Sequence, residues 1–202
     1  MRGKYICIEG GDGSGKSTLA RAIVQYLEGA GHQAVYRWFP SDNPVGGLIR
    51  SGLRGDVLLD EKTYLYLFCA DGLQANREIA AHLDRGRHVI CDRHPTLSGR
   101  VFQVDHHEAW VVDKVYDIAT MEGVPVPDHL FVLDVPASVS LARMGKREKY
   151  KDVVFESEDI ARIEELRQRY LRLAERYSAL MLPGEMPTSE LILEVIKMAG
   201  IQ

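Results

Sequence analysis

The 202-residue chain carries 25 basic and 29 acidic side chains, for a net charge of −4, with 27% charged and 46% hydrophobic residues. That balance excludes a disordered chain and a broadly basic surface for nucleic acid or anionic membrane, and no run approaches the roughly 18 apolar residues of a membrane span. The length suits one well-buried core, so a single domain over 1–202 is expected; the three cysteines, an odd number, read as buried free thiols in a reducing, cytoplasmic setting.

Tyr5-Ile6-Cys7-Ile8 is a short apolar run that reads as a buried strand. It delivers the chain into Gly10-Gly11-Asp12-Gly13-Ser14-Gly15-Lys16-Ser17, which fits the phosphate-binding pattern G-x-x-x-x-G-K-[ST] without a departure. Glycines at 10, 13 and 15 keep side chains out from between the backbone and a polyphosphate, so successive N–H groups can form an anion nest. The amphipathic segment Lys16 to Leu27 adds a helix N-terminus, Lys16 supplies charge near the β- and γ-phosphates, and the Ser17 hydroxyl suits Mg²⁺. A chance glycine-rich turn is the competing reading, and the strand-loop-helix context argues against it.

Glu28 to Gly31 is a stop signal, and Gln33 to Phe39 reads as a second strand. In Pro40-Ser41-Asp42-Asn43-Pro44, Asn43 is a candidate helix cap with Pro44 at the first helical position. Asp60 caps a long helix, Glu61 to Asp84, interrupted by Gly72, where a packing or pocket reason is expected. Gly86 ends it, and His88 to Asp92 is a buried strand with a carboxylate at its C-terminal end. Helix follows from about Glu108 to Glu122, then a strand from His129 to Asp134 and a helix from Pro136 to about Met144. Residues 145–155 are polar and basic and read as a flap; Ser157 then caps a long helix with Ile160, Ile163, Leu166, Tyr170, Leu173 and Tyr177 on one face. Ala179 to Leu182 is a candidate fifth strand and Ser189 to Ala199 a closing helix. Alternation of strand and helix implies an α/β fold, a parallel sheet of about five strands covered on both faces.

In such a sheet ligands bind at the C-terminal strand ends, so Asp92 and the phosphate loop are expected to face one crevice. Asp92-Arg93-His94 can order a metal-bound water and hold a second phosphate through the guanidinium. Arg143, Lys146, Arg147, Lys149 and Lys151 suit a lid that closes cations over a phosphoryl group; a solvated charged face or a nucleic-acid patch is the competing reading. A guanine-reading Asn-Lys-x-Asp is absent, since Asn43 and Asn76 precede proline and arginine. Asp105-His106-His107-Glu108 is contiguous and reads as surface or capping rather than a metal site.

Tyr5 to Thr18, YICIEGGDGSGKST, resembles the N-terminal motif of thymidylate kinases, which phosphorylate dTMP to dTDP with ATP and Mg²⁺. The likeness continues through Phe39-Pro40 with Pro44-Val45-Gly46, Phe68-Cys69-Ala70-Asp71, Asp92-Arg93-His94 with Ser98 and Phe102-Gln103, Pro127-Asp128 before LFVLDVP, Phe155-Glu156 and YLRLAERY. It implies a three-layer P-loop kinase fold with a short lid over about 145–155, and a homodimer. It implies that Gly10, Gly11, Asp12, Gly13, Ser14, Gly15, Lys16, Ser17, Thr18 and Arg143 surround ATP, with Ser17 and Asp92 toward Mg²⁺. Asp12 would contact the sugar 3′-hydroxyl or magnesium side of the acceptor and Arg93 its 5′-phosphate. Phe68 would stack on the base, with Phe39, Pro40, Ser98 and Gln103 lining the acceptor pocket. Some members place a catalytic arginine where this chain has Gly13 and others draw it from the lid, so Arg147 is the candidate for transition-state charge beside Asp12, Lys16, Asp92 and Arg93.

Three departures stand out. Members commonly have arginine at Gly72 to read the base, which keeps open a pyrimidine monophosphate kinase of other preference or a deoxynucleoside kinase; Gln74 or Arg77 are the candidate substitutes. The stretch from Asp92 to Ser98 is one residue longer than usual. Asp42 stands where some members use a phosphate-binding arginine, leaving Arg37 or Arg50 for that role. A non-catalytic nucleotide-binding regulatory module is the reading from a different class, and the paired Asp12, Asp92 and Arg93 argue against it.

Overall fold

Strands β1 (Tyr5–Glu9), β2 (Ala34–Trp38), β3 (His88–Asp92), β4 (His129–Asp134) and β5 (Leu180–Pro183) form one parallel sheet in the order β2-β3-β1-β4-β5. The computed structural model describes residues 2–145 and 160–201. Flanking the strands are α1 (Lys16–Gly29), α2 (Pro44–Leu53), α3 (Glu61–Asp84), α4 (Pro95–Phe102), α5 (Ala109–Met121), α6 (Ala137–Met144), α7 (Ile160–Arg176) and α8 (Thr188–Met198). Among the described residues no helix is long and apolar enough to cross a membrane.

Because side chains alternate across a strand, each strand feeds two cores. Tyr5, Cys7, Val89, Cys91 and Val132 pack with Ile79, Leu83, Leu97, Leu166, Tyr170 and Leu173 under α3, α4 and α7. Ile6, Ile8, Ile90, Phe131 and Leu133 pack with Leu19, Ile23, Leu27, Leu191 and Val195 under α1 and α8. Near-continuous apolar strands are what burial on both faces requires. The three cysteines are buried and free.

The expected helix start at Asn43-Pro44 is present: the Asn43 side chain accepts from the Gly46 amide at 2.9 Å. Asp60 likewise caps α3 through the Thr63 amide at 2.7 Å. Helix α4 was not legible, because Pro95, Thr96, Leu97, Ser98, Gly99 and Val101 are all buried and leave no polar stripe to give a 3.6-residue period. The flap over about 145–155, with Arg147, and the Ser157 cap fall on residues 146–159, outside the described residues.

The connection after β1 runs across β3 to β2, whereas the connection after β3 runs the other way, across β1 to β4. The connections leaving those two adjacent strands therefore depart in opposite directions, and such a reversal opens a crevice at their C-terminal ends. The phosphate loop leaves one strand and Asp92-Arg93 the other.

Candidate active site

Gly15 precedes α1 with φ 99°, and no side chain caps this helix. Its first-turn amides are thus left for an anion arriving at the positive end of the dipole. Gly13, at φ +78°, lies against α6: a Cβ there would meet the Ser140 carbonyl oxygen at 2.4 Å. No side chain fits at that position, which sends the search for an additional cation elsewhere, as Gly13 implied. Arg143, from α6, donates to the Ser14 carbonyl and to the Gly184 carbonyl, both at 3.0 Å, beside the loop.

Lys16 is 7% exposed and turns back over the loop, with Nζ 3.1 Å from the Gly11 carbonyl and 3.4 Å from Asp12 Oδ1. Asp12 also receives Arg93 Nη2 at 2.5 Å. Burial alone would raise the Asp12 carboxyl, but Arg93 and Lys16 outweigh it and hold it below the usual carboxylate range. Lys16 is pushed down by burial and then by Arg93, while Asp12, Asp92 and Glu9 oppose that shift. Arg93 Nη1 donates to the Tyr170 hydroxyl at 2.8 Å, so one guanidinium joins α7 to the phosphate loop. The Arg93 backbone is left-handed, φ +70°, a sparsely populated region for a non-glycine residue.

Asp92 continues the β3 parity of Ile90 and faces the α1 side, where the Tyr36 hydroxyl donates to its Oδ2 at 3.1 Å. Its Oδ1 is buried without a hydrogen-bond partner. A buried carboxylate oxygen left over near Lys16 and the Ser17 helix start is chemically suited to Mg²⁺ or its water. Among the described residues no group of three or more His, Cys, Asp or Glu could hold a metal by itself, and Mg²⁺ bound through few carboxylates keeps waters and substrate phosphates as ligands.

The acceptor-side residues divide. Phe39 is buried, the Phe39–Pro40 bond is cis, and Ser41 is tied to α3 because its amide and hydroxyl donate to Asp71 at 2.8 and 2.5 Å. Asp71, fully buried, thus anchors the 39–43 segment, a structural reason for the last residue of the Phe68–Asp71 motif. Phe68 is half-buried against Leu65, Tyr64 and their neighbours. Gln103 is 1% exposed with Oε1 lacking a partner, as a residue awaiting a ligand donor would be. The Ser98 hydroxyl, in contrast, is committed to both carboxylate oxygens of Glu9, each at 2.9 Å. Arg50 donates to the Pro40 and Ser41 carbonyls, and Arg37 pairs with Glu78, so both are engaged within this segment and α3. A pocket of about 240 Å³ lies there, lined by Arg37, Trp38, Phe39, Asn43 and Gln74 among others; neither the phosphate loop nor Arg93 or Phe68 lines it.

His94 is held as a neutral ring, its pKa pushed down to about 4 by burial. Nε2 donates to the Pro125 carbonyl at 2.7 Å, leaving Nδ1 to accept from Thr96 at 3.1 Å. In the Asp105–Glu108 stretch, Asp105 pairs with Arg169 at 2.6 Å and with Arg162, a surface role as expected. Glu9 was missed from sequence; its signal was a carboxylate ending an otherwise apolar strand on the parity of Tyr5 and Cys7.

Gly72 has a packing reason. A Cβ would meet Pro95 Cγ at 2.7 Å and Val124 Cγ2 at 3.1 Å. Gly72→Arg is therefore expected to destabilise the protein by about 1–3 kcal/mol instead of installing a base-reading arginine, lowering Tm by roughly 5 °C in a thermal melt. An unchanged Tm would mean that α3 yields at this contact.

A sequence model of the family described as Thymidylate kinase matches residues 8–195. A probable thymidylate kinase of Pyrococcus horikoshii is 30% identical over 199 residues, covering 94% of this chain and 92% of the relative. A probable thymidylate kinase of Methanocaldococcus jannaschii is 31% identical over 88% of this chain and 85% of its own length. A thymidylate kinase of Leptospira borgpetersenii is 26% identical over 96% of this chain and 91% of its own.

Proposed function

The chain belongs to the thymidylate kinase family, and from that premise we propose that it transfers the γ-phosphoryl group of ATP to dTMP. The observation that carries the reading is the Lys16–Asp12–Arg93 junction, where a buried and a partly buried cation flank one carboxylate at the seam between β1 and β3. One cation serves each of two phosphate groups, which a protein that only bound a nucleotide would not need.

Lys16, Ser17, Thr18 and the amides of Gly10 to Gly15 hold the ATP phosphates, with Arg143 alongside. Arg93 holds the 5′-phosphate of the acceptor, Phe68 stacks on its base, and Phe39, Pro40, Gln103 and Ser98 close the pocket, Ser98 through Glu9. An oxygen of the acceptor phosphate attacks the γ-phosphorus, the bond to the β–γ bridging oxygen breaks, and dTDP and ADP leave. Catalysis of this transfer is positioning plus charge neutralisation in a site closed to water. Lys16 and Arg93 supply that charge from the floor of the crevice and Arg147 from the lid over 145–155, while Asp12 orients both floor cations. Ser17 and Asp92 are the residues that would hold Mg²⁺, which would supply positive charge to offset the negative charge of the phosphates.

We place the enzyme in the cytoplasm, as one catalytic domain without nucleic-acid partners, and as a homodimer. Tyr66 and Leu73 on α3 and Trp110, Ile118 and Met121 on α5 are exposed apolar residues on two helices that pack together, Trp110 at 70% and Met121 at 85%. Such a patch is unusual on a monomer. Sedimentation is expected to give a mass of two chains, reverting to one in Trp110→Glu/Met121→Glu; a monomer in the wild type removes the dimer from this reading.

The activity is tested by coupled ADP release from the full chain with dTMP, dUMP, dCMP, AMP, GMP and thymidine. Turnover is expected to be fastest with dTMP. Turnover of thymidine but of no monophosphate overturns the assignment.

A further inference from the structure

The turn that delivers Arg93 leaves a backbone group to be satisfied, and a side chain satisfies it. The β3 amides alternate between its two neighbours: His88 donates to the Gln33 carbonyl on the β2 side at 2.8 Å, whereas Val89 and Arg93 donate to the Lys4 and Ile8 carbonyls on the β1 side at 2.8 and 3.0 Å. At φ +70° the chain then leaves the sheet, so the next amide, that of His94, which the alternation would turn toward β2, is left without a strand carbonyl. It donates to Glu9 Oε1 at 2.7 Å. The carboxylate of the last β1 residue thus takes the place of a strand carbonyl for that amide. The Ser98 hydroxyl donates to both oxygens of the same carboxylate, and the Ser98 amide donates to the His94 carbonyl at 2.9 Å, which fixes the first turn of α4 to the same point.

Glu9 is on the strand face of Tyr5 and Cys7, the face that Arg93 shares with Val89 and Cys91. Its side chain is wholly buried, an expensive place for a charge unless it is hydrogen-bonded and paired. Burial raises its carboxyl, and Arg93, the His94 amide, Ser98 and Lys16 work against that rise in that order. A fully buried acid with three donated hydrogen bonds and two cations near it is more than ending a strand requires; a valine or isoleucine would do that without the cost.

We infer that Glu9 is a positioning residue for the acceptor-phosphate site: it holds the His94 amide, so that the left-handed turn at residue 93 aims the Arg93 guanidinium between Asp12 and Tyr170. Glu9 touches neither nucleotide in this scheme and acts through Arg93. The inference rests on the reading of Arg93 as the ligand of the dTMP phosphate.

Glu9→Gln keeps the shape and one acceptor oxygen but cannot serve the His94 amide and Ser98 together, and it removes the charge beside Arg93. The full-length variant is expected to raise the dTMP KM about tenfold while the ATP KM stays within about twofold, and the rise should vanish in an Arg93→Met background, as coupled residues require. Ser98→Ala, which leaves the His94 contact, is expected to raise the dTMP KM less than Glu9→Gln does. Should Glu9→Gln not fold, Glu9→Asp, whose carboxylate is drawn back by one methylene, takes its place with the same measurements. An unchanged dTMP KM, equal rises for both substrates, an effect that adds in full to that of Arg93→Met, or a larger effect from Ser98→Ala each overturns the positioning role. If Arg93→Met alone leaves the dTMP KM unchanged, the assignment of Arg93 fails; if it raises that KM and Glu9→Gln does not, only the role of Glu9 fails.

Discussion

Lys16→Met is expected to lower kcat/KM about 10³-fold, or ~4 kcal/mol of transition-state stabilisation, with most of the loss in kcat. In the proposed reaction the charge at Nζ would follow the phosphoryl group as it separates from the bridging oxygen, and its interaction would be stronger in the transition state than with bound ATP. Methionine keeps the length of the stem in a site where Lys16 is 7% exposed, and Asp12 retains Arg93 at 2.5 Å, so the fold should be little disturbed. Single-turnover kinetics with saturating ATP and dTMP separate the two contributions. A fall of kcat by less than about tenfold would assign the ATP-side charge to another residue.

Arg93→Met is the second large effect, expected to raise the dTMP KM about 100-fold with the ATP KM changed by less than about threefold, within the roughly 2–5 kcal/mol that truncating one partner of a buried charge pair costs. This variant carries a stability signature as well. Burial already raises the Glu9 carboxyl, and Arg93 is the largest influence opposing it. Without Arg93 the folded-state pKa rises further above the unfolded one, so the folded chain binds the additional proton and stability falls as pH increases through that pKa. Melts from about pH 8 to about pH 5 should therefore show the deficit in Tm against wild type shrinking toward low pH. A deficit that is constant or grows toward low pH would mean that the penalty does not come from a carboxylate deprived of the Arg93 cation, since both Glu9 and Asp12 lose their interaction with it on protonation.

How much of this was legible depended on whether a residue's reason was local. The phosphate loop, the Asn43 and Asp60 caps and the alternating elements were legible because periodicity and turn chemistry are written in consecutive residues. Two strands paired at an offset of 84 positions meet at Ile8↔Asp92, yet the expectation that Asp92 and the phosphate loop share a crevice needed only the rule on strand ends. Helix α4 was not legible, since burial on all sides erases its stripe. Glu9 escaped because nothing local tells a strand-ending carboxylate that reaches water from one that caps a turn begun at residue 93. Ser98 was placed with the acceptor by motif, while its hydroxyl is spent on Glu9, a partner 89 positions away. Gly72 was read as a packing or pocket glycine, and the facing surfaces, Pro95 and Val124, are supplied by other parts of the chain.

The close approach of α6 to the phosphate loop also constrains how this enzyme can evolve. Every glycine codon becomes an arginine codon by one base change, so Gly13→Arg is a mutation the gene samples readily. With the Ser140 carbonyl 2.4 Å from where a Cβ would stand, that step requires α6 to retreat first. Arg143, which grips the Ser14 and Gly184 carbonyls from the same helix, would be pulled away with it. A lineage with this packing would have to pass through a variant in which Arg143 has released the phosphate loop before it gained an arginine within that loop. An arginine at position 13 and the present grip of Arg143 on the loop are thus separated by a valley, although in sequence they lie one substitution apart.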